Sequence, residues 1–316
     1  MAMLNSVGAN GIAPRDREPD SREQSRLALN VFFSQVSNVL KFRIGVVMVL
    51  TAMVAMVITP GTQPGGLEML VLAFAILVSA GSAGAFNQYY EVDLDRRVAR
   101  TCNRPFVTGY FHRGPVWLAI ILLLLVVGVG SAALVLNLSA AFYIFLGAFF
   151  YAIVYTVWLK RRSWTNIVIG GASGSFAVLA GAAAVDPDLG PVPIMLALVL
   201  FLWTPSHFWS LAIAKSKDYT RTGVPMLPVI IGNRRCAEVV LVNTLMLVTI
   251  ALLPFFYGMS WIYLLAAAGG GSYFIYHNWL MLRDPSPRVA MKSFFASLVQ
   301  LVTLLVGAVL DVWILG

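Results

Sequence analysis

The chain has 316 residues, 59% of them hydrophobic and only 11% charged, with a formal net charge of +8. That composition lies outside the range of soluble globular domains and marks an integral membrane protein. Hydrocarbon satisfies no backbone polar group, so long apolar runs must form helices unless strands close into a barrel, and the expected fold is one all-α bundle.

In chain order, residues 1–30 are rich in Ser, Arg, Asp and Glu. They lack the short apolar core and small-residue cleavage site of a signal peptide, and their acids argue against a transit peptide. Residues 1–37 read as a tail, disordered at first and then lying along the membrane interface toward Arg43. Residues 38–316 form the membrane domain, with spans expected at 39–58, 68–89, 115–136, 140–158, 164–184, 192–213, 236–257, 260–280 and 294–315, nine transmembrane helices in all. All 22 Lys and Arg fall within 1–43, 96–113, 160–162, 215–235 and 283–292, and the intervening loops hold none. Positive charge collects on the cytoplasmic side, so the N-terminus and these loops are placed there and the C-terminus outside. The net charge therefore reflects topology, and no nucleic-acid partner is needed to explain it. Cys102 and Cys236 lie on the same reducing side, with no zinc-type Cys/His spacing.

The second span runs into Asn87-Gln-Tyr-Tyr-Glu-Val-Asp-Leu-Asp-Arg-Arg-Val-Ala-Arg-Thr-Cys-Asn-Arg-Pro105. Residues four apart are neighbours on a helix, so Asn87, Glu91 and Asp95 would share a face, with Asp93 off it. These hard oxygen ligands suit Mg²⁺, which usually takes few carboxylates and completes its shell with substrate phosphates. Arg100 and Arg104 follow at the same spacing; a solvated, charge-balanced loop is the plainer alternative. Lys160, Arg161 and Arg162 have two explanations, cytoplasmic charge bias and diphosphate binding, and Lys41 and Arg43 are open in the same way. The run Gly170-Gly-Ala-Ser-Gly-Ser175 reads as a close-packing surface. Phe149, Phe150 and Tyr151 read as lipid-facing or core residues.

The second long cytoplasmic loop is introduced by Trp203-Thr-Pro-Ser-His-Phe-Trp209. His207 is the one histidine well inside an apolar span, either a hydrogen-bonded packing residue or a functional group. Pro205 is expected to kink the helix just before it and free a backbone carbonyl. If the helix continued unbroken, His207, Lys215 and Asp218 would fall near one face. The two long loops each follow an even-numbered span, which suggests two four-helix halves plus a ninth helix, with the loops meeting over a central cavity. Carboxylates for Mg²⁺, cations for anionic oxygen and an apolar chamber together suit a lipid diphosphate, whose departure leaves an allylic cation for an electron-rich acceptor.

These segments resemble the UbiA superfamily of intramembrane aromatic prenyltransferases, and within it the heme branch. The resemblance rests on 87–105, Lys160-Arg161, Asn166-Ile-Val-Ile-Gly-Gly171, Trp203-Thr-Pro-Ser-His-Phe208 and Asp218-Tyr-Thr-Arg-Thr-Gly-Val-Pro-Met-Leu-Pro228. It implies nine helices around a central cavity, Mg²⁺ dependence, farnesyl diphosphate as donor and heme B as acceptor. The product implied is heme O for terminal oxidases, in a prokaryotic inner membrane, with membrane lipid around the enzyme and heme A synthase or an oxidase as partner. The resemblance makes Asn87, Glu91, Asp95 and His207 catalytic, and it assigns metal to Asn87, Glu91, Asp93, Asp95 and Asp218. It assigns substrate to Arg100, Arg104, Lys160, Arg161, Lys41, Arg43, Lys215 and Tyr219. Glu91 stands where the first acidic motif more often has aspartate. A quinone precursor or chlorin acceptor is the nearest alternative. A lipid transporter lacks cations on the outer face, which offers Glu68, Asp186, Asp188 and Asp311, and a heme electron carrier needs paired axial ligands.

Overall fold

The computed structural model describes residues 21–315, and within them there is no β-strand. The expected first stretch of the tail, residues 1–20, lies outside the described residues, whereas its remainder belongs to a helix, α1 (Ser21–Leu40). The helices that follow are α2 (Phe42–Ile58), α3 (Gly66–Tyr90), α4 (Val92–Asp95), α5 (Pro105–Thr108), α6 (Pro115–Val135) and α7 (Leu138–Phe149). Then come α8 (Asn166–Ala183), α9 (Pro191–Ala214), α10 (Ser216–Thr222), α11 (Leu227–Ile231), α12 (Asn233–Leu252), α13 (Trp261–Arg283) and α14 (Pro287–Leu315).

The helix starts follow local chemistry. Proline at the first helical turn opens α6 and α9, where its missing N–H costs nothing. Asn137 caps α7 by accepting the Ala140 N–H at 2.8 Å, and its amide donates to the Ala183 carbonyl at 2.7 Å, tying the start of α7 to the end of α8. For α13 the Ser260 hydroxyl accepts the Ile262 N–H at 3.3 Å, and a second cap comes from another helix. The buried Asp311 carboxylate on α14 accepts the N–H groups of Ser260 (2.8 Å) and Tyr263 (2.9 Å) together with the Ser260 hydroxyl. A buried anion at a helix N-terminus also meets the positive end of the helix dipole. Asp311→Ala strips the buried Tyr263 N–H and the half-buried Ser260 donors of their acceptor, and about 2 kcal/mol of stability should be lost. A lower unfolding midpoint in detergent, largely restored in Asp311→Asn, checks this.

Among the described residues, seven helical segments are long and apolar enough to cross a membrane, and the pair Ala28–Leu40 and Phe42–Ile58, bent by 54°, makes an eighth if it is one span. The expected eighth span, 260–280, is helical as α13 but falls short in apolarity. Its residues include Gly269–Gly271, Ser272, Tyr273, Tyr276, His277 and Asn278.

Two apolar cores share α2 and α8. One joins Ala52 and Met56 of α2 with Leu72, Ala75 and Ile76 of α3, Ala132 of α6, Ile144 of α7 and Ala180 of α8. The other joins Ala55 of α2 and Val178 and Ala182 of α8 with Leu196, Val199 and Leu200 of α9, Leu247 of α12, Tyr263 of α13 and Leu304 of α14. Helices can approach so closely in a membrane only where side chains are small. At Gly181 a Cβ would lie 2.0 Å from the Ala52 carbonyl oxygen, so only glycine permits the α2–α8 contact that joins the two cores.

Candidate functional site

α3 ends at Tyr90, and Glu91 leaves helical geometry (φ −96°, ψ 18°). The helical backbone register nonetheless survives the break: Glu91 N–H donates to the Asn87 carbonyl at 3.0 Å and Asp95 N–H to the Glu91 carbonyl at 2.8 Å. Asn87, Glu91 and Asp95 are accordingly all buried, while Asp93 turns outward and is exposed. A chain of polar contacts runs along this face. Lys41 Nζ donates to Asn87 Oδ1 at 2.6 Å and to the Tyr151 hydroxyl at 3.0 Å. Asn87 Nδ2 donates to Glu91 Oε2 at 2.8 Å and to Thr156 Oγ1 at 3.0 Å. Lys160 Nζ donates to the same Glu91 oxygen at 2.5 Å, and Arg104 pairs with Asp95 Oδ2 at 2.6 Å.

Two features mark this cluster as more than a folding device. Lys41 sits between α1 and α2 in the left-handed conformation (φ 51°), which costs a non-glycine residue about 1–2 kcal/mol, and such strain concentrates at functional positions. Glu91 Oε1 is buried and has no hydrogen-bond partner among the described residues, an uncompensated acceptor in a site that otherwise pairs its groups. Lys41 also lies within electrostatic reach of Arg104, Lys160, Glu91 and Asp95. Three cations therefore face two carboxylates, leaving a surplus of positive charge for an anion.

The residues around this face come from a widened turn. After Phe149, α7 continues as a π-helix, Phe150–Leu159, in which the Thr156 hydroxyl donates to the Tyr151 carbonyl at 2.8 Å. Its i→i+5 repeat brings Tyr151, Tyr155, Thr156 and Lys160 toward one side, and insertions of this kind are frequent at functional sites. Tyr151 is thus half-buried against Lys41, a core position whose hydroxyl has a polar partner. Gly170 belongs to the small-residue run; a Cβ there would lie 2.6 Å from the Tyr155 ring.

The five-residue metal set is not assembled. Among the described residues no three His, Cys, Asp or Glu side chains are gathered closely enough to hold a metal ion. Asp93 is taken by Arg161 through two bonds of 2.7 Å, which hold its carboxyl down to about 2, and Arg161 also covers the Tyr90 ring. Asp218 is exposed, because α9 stops at Ala214, Lys215 breaks the helix (φ −114°, ψ 25°) and α10 starts afresh. The unbroken His207-to-Asp218 face is therefore corrected as well. Lys215, Arg43 and Arg100 are exposed and make no ion pair among the described residues. Tyr219 is half-buried in an apolar cluster with Leu94 and Tyr155, and it lies within electrostatic reach of Arg100 and Lys160, so the two long loops do meet.

His207 lies two turns inside α9, roughly 10 Å of helical rise from its end. It is buried, stacked between Trp203 and Phe294, with Nδ1 at 2.6 Å from the Ser297 hydroxyl. The helix passes Pro205 without a break, and next to the Phe201 carbonyl that Pro205 deprives of its helical N–H, Asn243 donates to Leu202 O at 2.6 Å and to Ser206 Oγ at 2.7 Å. Further hydrogen bonds join Ser206 to Thr244, Thr244 to Asn278, Asn278 to Ser293 and Ser293 to Ser210, locking α9 onto α12, α13 and α14. Cavities of about 380 Å³ near Thr59, Gly61 and Asp311 and of about 250 Å³ near Phe86, Leu122 and Phe149 are not lined by Glu91, Asp95 or His207. Neither is the central cavity expected from the sequence.

Residues 48–299 match the UbiA prenyltransferase family. Protoheme IX farnesyltransferase 2 of Paramagnetospirillum magneticum is 50% identical over 281 residues, covering 89% of this chain and 98% of the relative. Protoheme IX farnesyltransferase 1 of the same organism is 43% identical, with coverage of 88% and 98%, and that of Alkalilimnicola ehrlichii 40%, with 87% and 92%. Among solved structures, digeranylgeranylglyceryl phosphate synthase superposes with a TM-score of 0.76 at 17% identity, covering 89% of this chain and 98% of the other. A UbiA homolog from Archaeoglobus fulgidus bound to DMAPP and Mg²⁺ superposes at 0.67 and 13% identity, covering 89% and 100%. At these identities the structural likeness establishes the fold alone.

Proposed function

This chain belongs to the UbiA prenyltransferase family, and from that premise we propose that it transfers the farnesyl group of farnesyl diphosphate to a vinyl group of heme B, giving heme O. The observation that carries the donor half is the buried Asn87–Glu91–Asp95 face with its three cations and its unpartnered Glu91 oxygen. The names of the relatives support the acceptor half.

Asn87, Glu91 and Asp95 are the residues that would hold Mg²⁺, and their oxygen donors fit it: two carboxylates and an amide leave most of the shell to diphosphate oxygens. Bound there, the metal would neutralise charge on the leaving diphosphate. Lys41, Lys160 and Arg104 now neutralise the acidic face, and in the loaded site they turn part of their charge to the diphosphate. Arg100 approaches from the rim beside Tyr219. Cleavage of the C1–O bond releases diphosphate, and the vinyl terminal carbon forms the new C–C bond. The cation left next to the porphyrin is captured by water, which gives up one proton. Burial of the site keeps water from the allylic cation before that bond forms. Asp93 and Arg161 brace the loop from outside, and Asp218 serves no metal in this arrangement.

The full bundle is read as nine spans, with α13 crossing between α12 and α14, in a prokaryotic plasma membrane. The positive loops face the cytoplasm, where farnesyl diphosphate arrives, and a heme A synthase or oxidase takes the product. Chelation of divalent metal from membranes holding the protein should reduce diphosphate release to background, and Mg²⁺ should restore it. Undiminished release in chelator contradicts the metal assignment.

A further inference from the structure

The Ser297 hydroxyl lies 2.6 Å from His207 Nδ1 and 2.6 Å from the Phe294 carbonyl oxygen, while the Ser297 carbonyl accepts Trp203 Nε1–H at 2.8 Å. A serine hydroxyl has one proton to give. The Phe294 carbonyl offers only lone pairs, so that proton belongs to it. The contact with His207 must then be filled from the ring, as Nδ1–H donating to the serine oxygen. A neutral imidazole carries a single N–H, so Nε2 is left as a bare acceptor. Among the described residues no carboxylate pairs with His207, and Nε2 takes no hydrogen bond, yet it is not among the fully enclosed, unpartnered atoms.

Ring orientation is fixed as firmly as the tautomer. Trp203 stacks on one face at 4.2 Å and 17°, Phe294 on the other at 4.2 Å and 30°, and Phe208 meets the ring edge-on at 5.0 Å. A ring flip would keep both stacks, since the ring plane is unchanged, but would replace Nδ1 by a carbon and break the Ser297 contact, so that contact selects the orientation. Ser297 thus anchors two members of the stack, Trp203 through its carbonyl and His207 through its hydroxyl, and the buried Ser293–Asn278 bond holds the same helix in register.

We propose that Ser297 is a positioning residue that locks His207 in the Nδ1–H tautomer and leaves its bare Nε2 free to accept a ligand. Histidines that ligate metals are oriented in this way, by a hydrogen bond on the nitrogen remote from the metal. On the reading of the function above, on which only this last step rests, the group that meets Nε2 is the porphyrin acceptor. Ser297 has no contact with substrate and acts through His207.

Histidine-selective ¹⁵N NMR of the full chain in nanodiscs reads the tautomer directly. His112 and His277 are the other histidines, and the His207 signals are those missing from His207→Phe. A protonated Nδ1 and unprotonated Nε2 are expected in the wild type and in Ser297→Thr. Ser297→Ala keeps the carbonyl that holds Trp203 but removes the serine acceptor, leaving Nδ1–H only the neighbouring Phe294 carbonyl, so an Nε2–H population should appear. Half-saturation by heme B should rise about 10- to 100-fold in that variant, with farnesyl diphosphate binding unchanged. Nε2–H in the wild type, or a tautomer unmoved in Ser297→Ala, overturns the proposal. If the tautomer responds as stated but heme B leaves the His207 signals unperturbed, Ser297 keeps its role and the acceptor reading fails.

Discussion

Asp95→Ala should lose about 10²- to 10³-fold in farnesyl transfer while the protein stays inserted, the scale of removing one preorganised electrostatic group from a transition state. That corresponds to about 3–4 kcal/mol of barrier. Asp95 is the acidic-face residue nearest the rim: its partner Arg104 has a side chain 19% exposed, so water can solvate the arginine once the carboxylate is gone. Glu91 is the harder position to test. Its own side chain is fully enclosed and accepts from both Asn87 and Lys160, so removing it opens a buried polar gap, and a fold defect would confuse the result. Asp95→Asn preserves shape and a hydrogen bond to Arg104, and should lose nearly as much activity with normal unfolding behaviour. Turnover by either variant at the full rate without added metal refutes the Mg²⁺ role.

Loss of heme B binding in His207→Ala is the second expected result, with farnesyl diphosphate still bound, because the acidic face is built from α3, α7 and the α1–α2 break. The alanine also empties an aromatic sandwich, so His207→Phe is the cleaner variant: it keeps the stacking between Trp203 and Phe294 and removes only the nitrogens. Both should raise heme B half-saturation by about 10- to 100-fold. Unaltered heme binding and turnover would remove His207 from the mechanism. Normal binding with lost turnover would instead confine it to orienting the vinyl group.

The acidic face was legible in the sequence because i, i+4 spacing is a local property, and the backbone keeps that register across the break at Glu91. Lys41, Lys160 and Arg104 were found as charges, but their assignment to Asn87, Glu91 and Asp95 is tertiary and has no local signal. Asp93 and Asp218 show the limit of motif transfer. One turns outward to Arg161, and the other lies beyond a helix break at Lys215 that a propensity reading does not reveal. Tyr151 and Thr156 were missed because α-helical periodicity does not describe a π-helix; the pattern Tyr151, Tyr155 and Lys160 was the available clue. Ser297 and Asn243 were invisible for another reason: small polar residues in apolar spans carry no periodic signal, and their partners lie on other helices. The bend at Lys41 and the polar, glycine-rich stretch of α13 likewise explain why nine apolar runs correspond, among the described residues, to seven clear spans and one bent pair.

The most direct measurement is to incubate membranes containing this protein with heme B, farnesyl diphosphate and Mg²⁺, and to identify the extracted porphyrins by chromatography and mass. A product heavier than heme B by one hydroxyfarnesyl group is the expected result. Heme B returned unchanged, while farnesyl diphosphate is consumed with a different aromatic acceptor, would contradict the assignment of heme as acceptor and leave the donor site standing.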